Sequence, residues 1–247
     1  MLLCDRATFE RVAHLRPFPL PGGDRAVREP RRSALGLLFE ARGRAAAEAA
    51  ALWFAEQELS FLFDALERKL NAPRTSSMGR LFDAIAALAG LPPSISFEGQ
   101  AAMALEFAAD PGEPSAYPLP LGDQSPAVAD WQPTLDAVLA DLRAGTPIGI
   151  VSGRFHNALA HLAVAAARRA GCHRVVLTGG CFQNRLLSLR ARHRLEEAGF
   201  EVFTHCLVPP GDGGIALGQL FVATGLPARC LLGTPKQKPQ SPNGIAG

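Results

Sequence analysis

The sequence predicts an α/β fold, because its residue periodicity changes part-way along the 247-residue chain. From His173 to Gly225 a strand pattern, a helix pattern, a second strand pattern and a second helix pattern follow one another. This alternation predicts two parallel strands joined by a right-handed crossover helix. Before Gly171 the chain shows the apolar spacing of amphipathic helices. The length suffices for one large domain or for two lobes of about 100 to 150 residues.

The first half of the chain divides into an extended segment and a helical subdomain. Residues 1–32 contain PFPLPGGD and end at REPRR, so an extended lead-in with little regular structure is predicted. Residues 33–109 are predicted to be helical, with one or two long helices from Ser33 to Leu70 that end before Pro73. A further helix is predicted to begin at the hydroxyl caps of TSSMG and to end at a glycine, with one apolar stripe in LFDAIAALAGL.

The second half begins with a loop and continues as an α/β lobe. Residues 110–130 are rich in Pro, Gly, Asp and Ser, which predicts a surface loop and the best internal boundary. Residues 131–233 are predicted to form the lobe: two helices ending at Gly145 and Gly171, then the buried strand HRVVL, a helix, the strand FEVFTHC and a last helix. Residues 234–247 have the composition of a disordered tail.

Composition excludes several classes of protein. The 25 basic and 23 acidic side chains leave a formal charge of +2, which argues against nucleic-acid binding. No apolar run approaches the ~18 residues of a membrane span, so a soluble protein is expected. The N-terminus lacks the pattern of a secretory signal, and the five cysteines are an odd number without a C-x-x-C pair. A cytoplasmic location is therefore expected.

Glycine-rich loops follow both predicted strands. The first loop places Gly179 and Gly180 ahead of a helix that starts at Asn184, and the second, in LVPPGDGGIALGQ, places Asp212 between glycines. Loops after parallel neighbouring strands lie side by side, so backbone donors and one carboxylate are expected to meet in one cleft. This arrangement suits a nucleotide phosphate and a metal-binding aspartate. The alternative is that both loops only turn the chain. Neither matches a Walker A loop or a G-x-G-x-x-G fingerprint.

Three other features are ambiguous from the sequence alone. Cys181 precedes a helix, where a thiol pKa is lowered, but a small packing residue is the favoured interpretation. His156, in GRFHN, is interpreted as a structural histidine, with ligand contact as the alternative. Gly79 and Asp83 lie four residues apart on the helix face opposite the apolar stripe, which by spacing alone indicates a solvated surface.

Taken together, these segments resemble the C-terminal part of the HypF family of hydrogenase maturation carbamoyltransferases. The resemblance runs in order from about Phe9 to Leu220 and rests on seven segments: FERVAHLRPFPLPGGD, REPRR, RTSSMGRLFDAIAALAG, SFEGQAAMALE, RFHNALA, LTGGCFQNRLL and VPPGDGGIALGQ. It implies an actin/Hsp70-like (ASKHA) nucleotide-binding lobe with added helices. It further implies transfer of a carbamoyl group from carbamoyl-adenylate, made from carbamoyl phosphate and ATP, to the C-terminal cysteine of a HypE-like acceptor, on the route to the cyanide ligand of [NiFe]-hydrogenase.

The resemblance also assigns site residues. It implies that Gly79 and Asp83 hold the nucleotide ribose, that Asp83 points away from the core stripe, and that Gly179, Gly180 and Asn184 face the nucleotide. Asp212 matches the metal ligand of the C-terminal lobe, for Mg, Zn or Fe. Glu98 and Gln100 belong to a family signature without an assigned role, and no catalytic residue is assigned.

The chain departs from the family pattern in ways that leave alternatives open. The acylphosphatase, zinc-finger and adenylate-forming modules are not in this sequence, and the histidine pair that supplies the other metal ligands lies upstream of the matching segment. The lobe is thus expected to be incomplete relative to a two-lobe domain, and this chain alone inactive. The alternatives are a small-molecule O-carbamoyltransferase and a non-catalytic nucleotide-binding remnant.

Overall fold

The computed structural model describes residues 1–5, 8–92 and 94–224, and it shows a mixed α/β fold. The predicted tail at 234–247 and Cys230 lie outside the described residues. The helices within them are α1 Arg25–Arg28, α2 Pro30–Arg42, α3 Ala47–Ala50, α4 Glu56–Glu67, α5 Met78–Leu88, α6 Gln100–Ala108, α7 Gln132–Arg143, α8 Ile148–Ala170, α9 Arg185–Glu197 and α10 Ile215–Thr224. Single 3₁₀ turns are Gly43–Ala46, Gly180–Gln183 and Asp212–Gly214.

The strands are short and pair two by two within the described residues. They are β1 Leu2–Cys4, β2 Phe9–Arg11, β3 Ala13–Leu15, β4 Phe18–Pro19, β5 Arg74–Thr75, β6 Ala127–Ala129, β7 Arg174–Leu177 and β8 Glu201–Thr204. The pairs β1–β2 and β4–β5 are antiparallel, and β3–β6 and β7–β8 are parallel. The parallel pair joined by a crossover helix, predicted from the sequence, is therefore confirmed in β7, α9 and β8.

The main core surrounds α5, which packs against α2 and α6. Its large buried side chains include Phe18, Phe82, Trp131 and Phe155. Trp131 contacts Phe18 edge to face and donates from Nε1 to the carbonyl oxygen of Arg16 at 2.6 Å. This bond satisfies the polar atom that a buried indole carries.

Helix α8 connects the main core to a second, smaller cluster. Phe155 and Leu159 lie in the main core, whereas Ala160 and Ala167 pack with Leu177 of β7 and with α9. The helix ends at Gly171, which has a φ of 64°, the left-handed conformation in which glycine commonly ends a helix. One continuous helix therefore sets the position of the glycine loops relative to α5.

Several predicted boundaries change in the structure. The lead-in 1–32 contains four short strands, and α2 begins at Pro30 rather than Ser33. Strand β3 pairs with β6, which lies inside the predicted loop 110–130. The partners are more than 100 residues apart, so no local pattern reveals the pairing. The domain limits themselves stay predictions.

The prediction that the first strand of the lobe is buried was wrong on one of its faces. Leu177 is 4% exposed, whereas Val176 is 58% exposed. Successive side chains of a strand point to opposite faces, and α8 and α9 cover only one face of the β7–β8 pair. The apolar run in HRVVL therefore contributes to the core through alternate residues.

Candidate functional site

The two glycine-rich loops lie in direct contact, as their positions after parallel strands predicted. The backbone N–H of Gly179 donates to the carbonyl oxygen of Pro210 at 2.7 Å. A Cβ atom placed on Gly211 would lie 2.7 Å from Nε2 of Gln183 and 3.6 Å from the Cα atom of Gly180, so a side chain at this position would require the Gln183 side chain to move. The predicted convergence of the two loops is confirmed.

Gly179 and Gly180 have different reasons to be glycine. Gly179 has a φ of +105°, which side chains of L-residues rarely adopt. Gly180 has no such constraint, and a Cβ on either residue would meet nothing within 4 Å. Open space therefore lies beside this backbone, and a ligand can approach it closely.

Asn184 caps α9 and is buried, at 8% exposure. Its Oδ1 accepts from the N–H of Leu187 at 2.8 Å, and its Nδ2 lies 2.9 Å from Nε2 of His156. Both ends of the amide thus have internal partners. The predicted nucleotide contact of Asn184 stays a prediction, and it would use the second N–H of Nδ2 or the second lone pair of Oδ1.

A carboxylate also occupies the N-terminus of α9. Oε1 of Glu106, from α6, accepts from the backbone N–H of Leu186 at 3.1 Å. An acidic group at a helix N-terminus is favourable because the unpaired N–H groups carry partial positive charge. The N–H groups of Leu186 and Leu187 in the first turn of α9 are thus both paired with side-chain oxygens.

Helix α5 carries the other predicted nucleotide residues, and Asp83 differs from expectation. Ser77 caps the helix, since its hydroxyl accepts from the N–H of Arg80, as predicted. The solvated surface that the spacing alone indicated for Asp83 is wrong, because Asp83 is 1% exposed. Every residue from Arg80 to Ala87 is buried, because α5 is enclosed by several elements rather than packed along one stripe.

Asp83 is a buried carboxylate with an incomplete set of partners. Nη1 of Arg80 lies 2.7 Å from its Oδ2, but the geometry is not that of a hydrogen bond, and Oδ2 has no hydrogen-bond partner among the described residues. Burial raises the pKa of Asp83 to about 6; the Arg80 charge opposes this rise, and the nearby Glu98 carboxylate adds to it. Gly79, one turn earlier, has room beside it, because a Cβ there would meet only the Ser77 hydroxyl at 3.6 Å.

His156 connects α5 to the first glycine loop. The ring of Phe82 contacts the imidazole edge to face, with centroids 5.4 Å apart, and the imidazole in turn contacts Asn184. Helix α5 also packs against the turn Gly180–Gln183. The structure therefore brings the neighbours of Asp83 together with the loops, although no hydrogen bond joins Asp83 itself to either loop in the described part of the chain.

The predicted metal ligand stands apart from other ligands. Asp212 is exposed at the start of the turn before α10. Across residues 1–5, 8–92 and 94–224, no group of three or more His, Cys, Asp or Glu side chains is placed to hold a metal ion. Asp212 thus supplies one oxygen, and this set of residues does not by itself fit a divalent metal.

Cys181 behaves as a packing residue. Its side chain packs against the main core, and burial raises the pKa of the thiol. A nucleophilic thiol needs a lowered pKa. The structure thus agrees with the interpretation that the sequence favoured.

Two surface grooves lie beside α9, away from these residues. One, of about 340 Å³, is lined by α8 and α9 residues that include His161, Arg168 and Arg194. The other, of about 310 Å³, adds the segment Pro111–Pro114 to the same two helices. Neither groove is lined by a predicted site residue, so neither is the candidate site.

The chain matches the family model described as "Carbamoyltransferase, Kae1-like Domain, second subdomain" over residues 1–219. It belongs to the HypF carbamoyltransferase family. It is 38% identical to Carbamoyltransferase HypF of Synechocystis sp. over 87% of this chain and 30% of that protein, and 42% identical to Carbamoyltransferase HypF of Rhodobacter capsulatus over 90% of this chain and 29% of that protein. The resemblance inferred from the motifs is confirmed.

A solved HypF structure shares the fold. The crystal structure of full-length HypF in the phosphate- and nucleotide-bound form superposes with a TM-score of 0.82 at 37% identity, covering 91% of this chain and 36% of that chain. The chain thus spans about a third or less of the length of these HypF relatives. Within the described residues no helix is long and apolar enough to cross a membrane.

Sequence reasoning missed three contributors to this site. Arg80 lies three residues before Asp83, and this helical spacing was a usable signal for an ion pair. Glu106 and Ser152 contact the site from α6 and α8, and Glu106 meets a residue 80 positions later. Ser152 lies four residues before His156 on α8, so helical spacing could have indicated its contact, whereas no local pattern indicates the contact of Glu106.

Proposed function

We propose that this chain is the C-terminal portion of a carbamoyltransferase with an ASKHA-type nucleotide-binding lobe. In this proposal it passes a carbamoyl group from carbamoyl-adenylate, itself made from carbamoyl phosphate and ATP, to the C-terminal cysteine of a HypE-like acceptor in the cytoplasm. The product supplies the cyanide ligand of [NiFe]-hydrogenase. One observation carries the proposal: a chain of the HypF family places two touching glycine loops beside a helix with a buried, under-bonded carboxylate.

The site residues have distinct roles in this proposal. The Asp83 carboxylate accepts hydrogen bonds from the ribose hydroxyls once the side chains that cover it move aside, which gives Oδ2 the donor it lacks in the described residues. The open backbone at Gly179 and Gly180 approaches the phosphate. Full-length HypF was crystallised in a phosphate- and nucleotide-bound form, which supports both roles by analogy.

The transfer step is a substitution at the carbamoyl carbon. The thiolate of the acceptor cysteine attacks this carbon, the bond to the adenylate phosphate oxygen breaks, AMP leaves, and a carbamoylated cysteine forms. Nearby donors that favour the charge developing on the carbonyl oxygen would lower the barrier. A bound divalent metal would supply a positive charge that stabilises this oxygen, with Asp212 as one ligand and the others from outside the described residues.

A second candidate is a non-catalytic nucleotide-binding protein. It is favoured by the absence of a metal-ligand group in the described part of the chain. Activity distinguishes the two candidates. The chain is combined with the remaining modules of a HypF relative, carbamoyl phosphate, ATP, Mg²⁺ and an acceptor peptide that ends in cysteine, and peptide mass is followed. Carbamoylated peptide supports the transferase, whereas nucleotide binding without it supports the second candidate.

Nucleotide binding has its own test. Calorimetry with ATP and Mg²⁺ is carried out on the wild type, on Asp83→Asn and on Glu98→Gln, which alters an exposed carboxylate near the same Arg80. Loss of a charged hydrogen bond to ribose should weaken binding about tenfold or more in Asp83→Asn. Glu98→Gln should bind like the wild type. Equal affinity in all three proteins, or no binding by the wild type, contradicts the site assignment.

A further inference from the structure

The buried contact between His156 and Asn184 has a definite proton arrangement. The backbone N–H of Leu187 must donate to Asn184, so Oδ1 of the amide faces Leu187 and Nδ2 faces His156. Because Nδ2 is a donor, Nε2 of His156 accepts. The single proton of the neutral ring is then on Nδ1, which lies 2.8 Å from the carbonyl oxygen of Ser152. The tautomer follows from the partners on both sides of the ring.

The imidazole is held firmly by its surroundings. His156 is fully buried, with the rings of Phe82 and Phe155 packed against it. The Ser152 hydroxyl donates to the carbonyl oxygen of Leu105, which ties this part of α8 to α6. Burial lowers the pKa of His156 to about 4, so the ring stays neutral at physiological pH. Nε2 of His156 is therefore a fixed hydrogen-bond acceptor for Asn184, which follows the first glycine loop.

We propose that His156 is a positioning residue, which sets the geometry of the turn Gly180–Gln183 through its hydrogen bond from Asn184. In the described part of the chain, two side-chain hydrogen bonds hold the end of the turn: this bond, and the Ser188 hydroxyl that donates to the carbonyl oxygen of Phe182 at 2.7 Å. Of these two hydrogen bonds, the one to His156 reaches α8, where the His156 ring contacts Phe82 of α5. The effect on nucleotide affinity rests on the proposed function, whereas the effect on the turn does not.

The experiment compares variants that keep or remove the acceptor. His156→Gln retains an oxygen that accepts from Asn184 and an N–H₂ that reaches toward Ser152. His156→Leu removes both groups. His161→Leu is the matched control, because His161 lies on the same helix and is exposed. Asn184→Asp keeps the oxygen that accepts from Leu187 but replaces the N–H₂ donor that faces His156 with a second acceptor. The imidazole must then move its proton to Nε2 to keep a hydrogen bond with residue 184.

The first readouts need no ligand. In the wild type, ¹⁵N NMR of His156 should show a proton on Nδ1 and a free lone pair on Nε2, and Asn184→Asp should place a proton on Nε2. Amide hydrogen exchange at residues 180–187 should become about tenfold faster in His156→Leu, equivalent to ~1.4 kcal/mol, and return toward the wild-type rate in His156→Gln. A proton on Nε2 in the wild type overturns the proposal, as does equal exchange in the Leu, Gln and His161→Leu variants.

The second readout is affinity for ATP with Mg²⁺. We expect about tenfold weaker binding in His156→Leu, recovery in His156→Gln and no change in His161→Leu. If His156→Leu does not fold, the NMR comparison of the wild type with Asn184→Asp still decides the proton arrangement, and exchange in His156→Gln decides the rest. If the wild type binds no ATP, the proposed function fails, while the exchange and NMR results still decide the role of His156.

Discussion

Nη1 of Arg80 lies 2.7 Å from Oδ2 of Asp83, yet this buried oxygen accepts no hydrogen bond from any described residue. The positive charge of Arg80 balances the negative charge of Asp83, but Oδ2 can still accept a hydrogen bond. Because the guanidinium lies at contact distance, the buried oxygen is electrostatically compensated. A ligand donor can reach it only if the side chains that cover Asp83 move aside.

The pH dependence of stability tests the environment of Asp83. Its pKa is raised to about 6 in the fold, against about 3.9 for an unfolded aspartate, so the folded state binds this proton more tightly. The stability that this bound proton gives to the folded state is therefore fully present below about pH 4, and it declines as the pH rises to about 6. Asp83→Asn should remove this decline.

The measurement is urea unfolding of the wild type and Asp83→Asn from pH 4 to pH 7. Between pH 4 and pH 7, the free energy of unfolding of Asp83→Asn should rise relative to that of the wild type by on the order of 2 kcal/mol. Glu98→Gln, measured in parallel, controls for the loss of a nearby exposed carboxylate. A difference that does not vary with pH would show that Asp83 is not desolvated.

The adjacent glycines of the first loop should respond differently to the same substitution. Gly179→Ala forces a side chain into a φ of +105°, which should cost about 1 to 3 kcal/mol of stability. Gly180→Ala adds a methyl group into open space, so its stability should match the wild type while its ATP affinity falls. Urea unfolding and calorimetry measure both effects. Unchanged ATP affinity in Gly180→Ala argues against ligand approach at this point.

Glu106 should stabilise the start of α9. Replacing it with alanine leaves the N–H of Leu186 without its acceptor and removes a favourable charge, at a cost of about 1 kcal/mol. Glu106→Gln keeps an acceptor and should lose less. Glu196→Ala, at the exposed end of the same helix, is the comparison variant. Equal unfolding midpoints for Glu106→Ala and the wild type rule out this capping role.

Metal removal should leave the isolated chain unchanged. The described residues provide Asp212 without a cluster of other ligands, so a bound metal is not expected to contribute to folding. The thermal unfolding midpoint should be the same with and without EDTA, and the same in Asp212→Asn. A fall in the midpoint with EDTA that is absent in Asp212→Asn would show that Asp212 holds a metal in this chain.

Local patterns predicted the elements that depend on neighbouring residues. The Ser77 cap, the helix end at Gly171 and the parallel pair around α9 follow from residue types within a few positions of one another. The motifs also identified the family correctly. In contrast, the pairing of β3 with β6 and the cap from Glu106 depend on residues far apart in the chain, for which a single sequence carries no signal.

By itself, the sequence determined the fold class, the order of the C-terminal elements and the two glycine loops, because periodicity and turn chemistry act over short distances. Only the tertiary structure decided the burial of Asp83, the internal bonds of Asn184 and the link from α5 to the loop through His156. A helix face is solvated or buried according to what packs on it. That packing is set by side chains that meet only after the chain has folded.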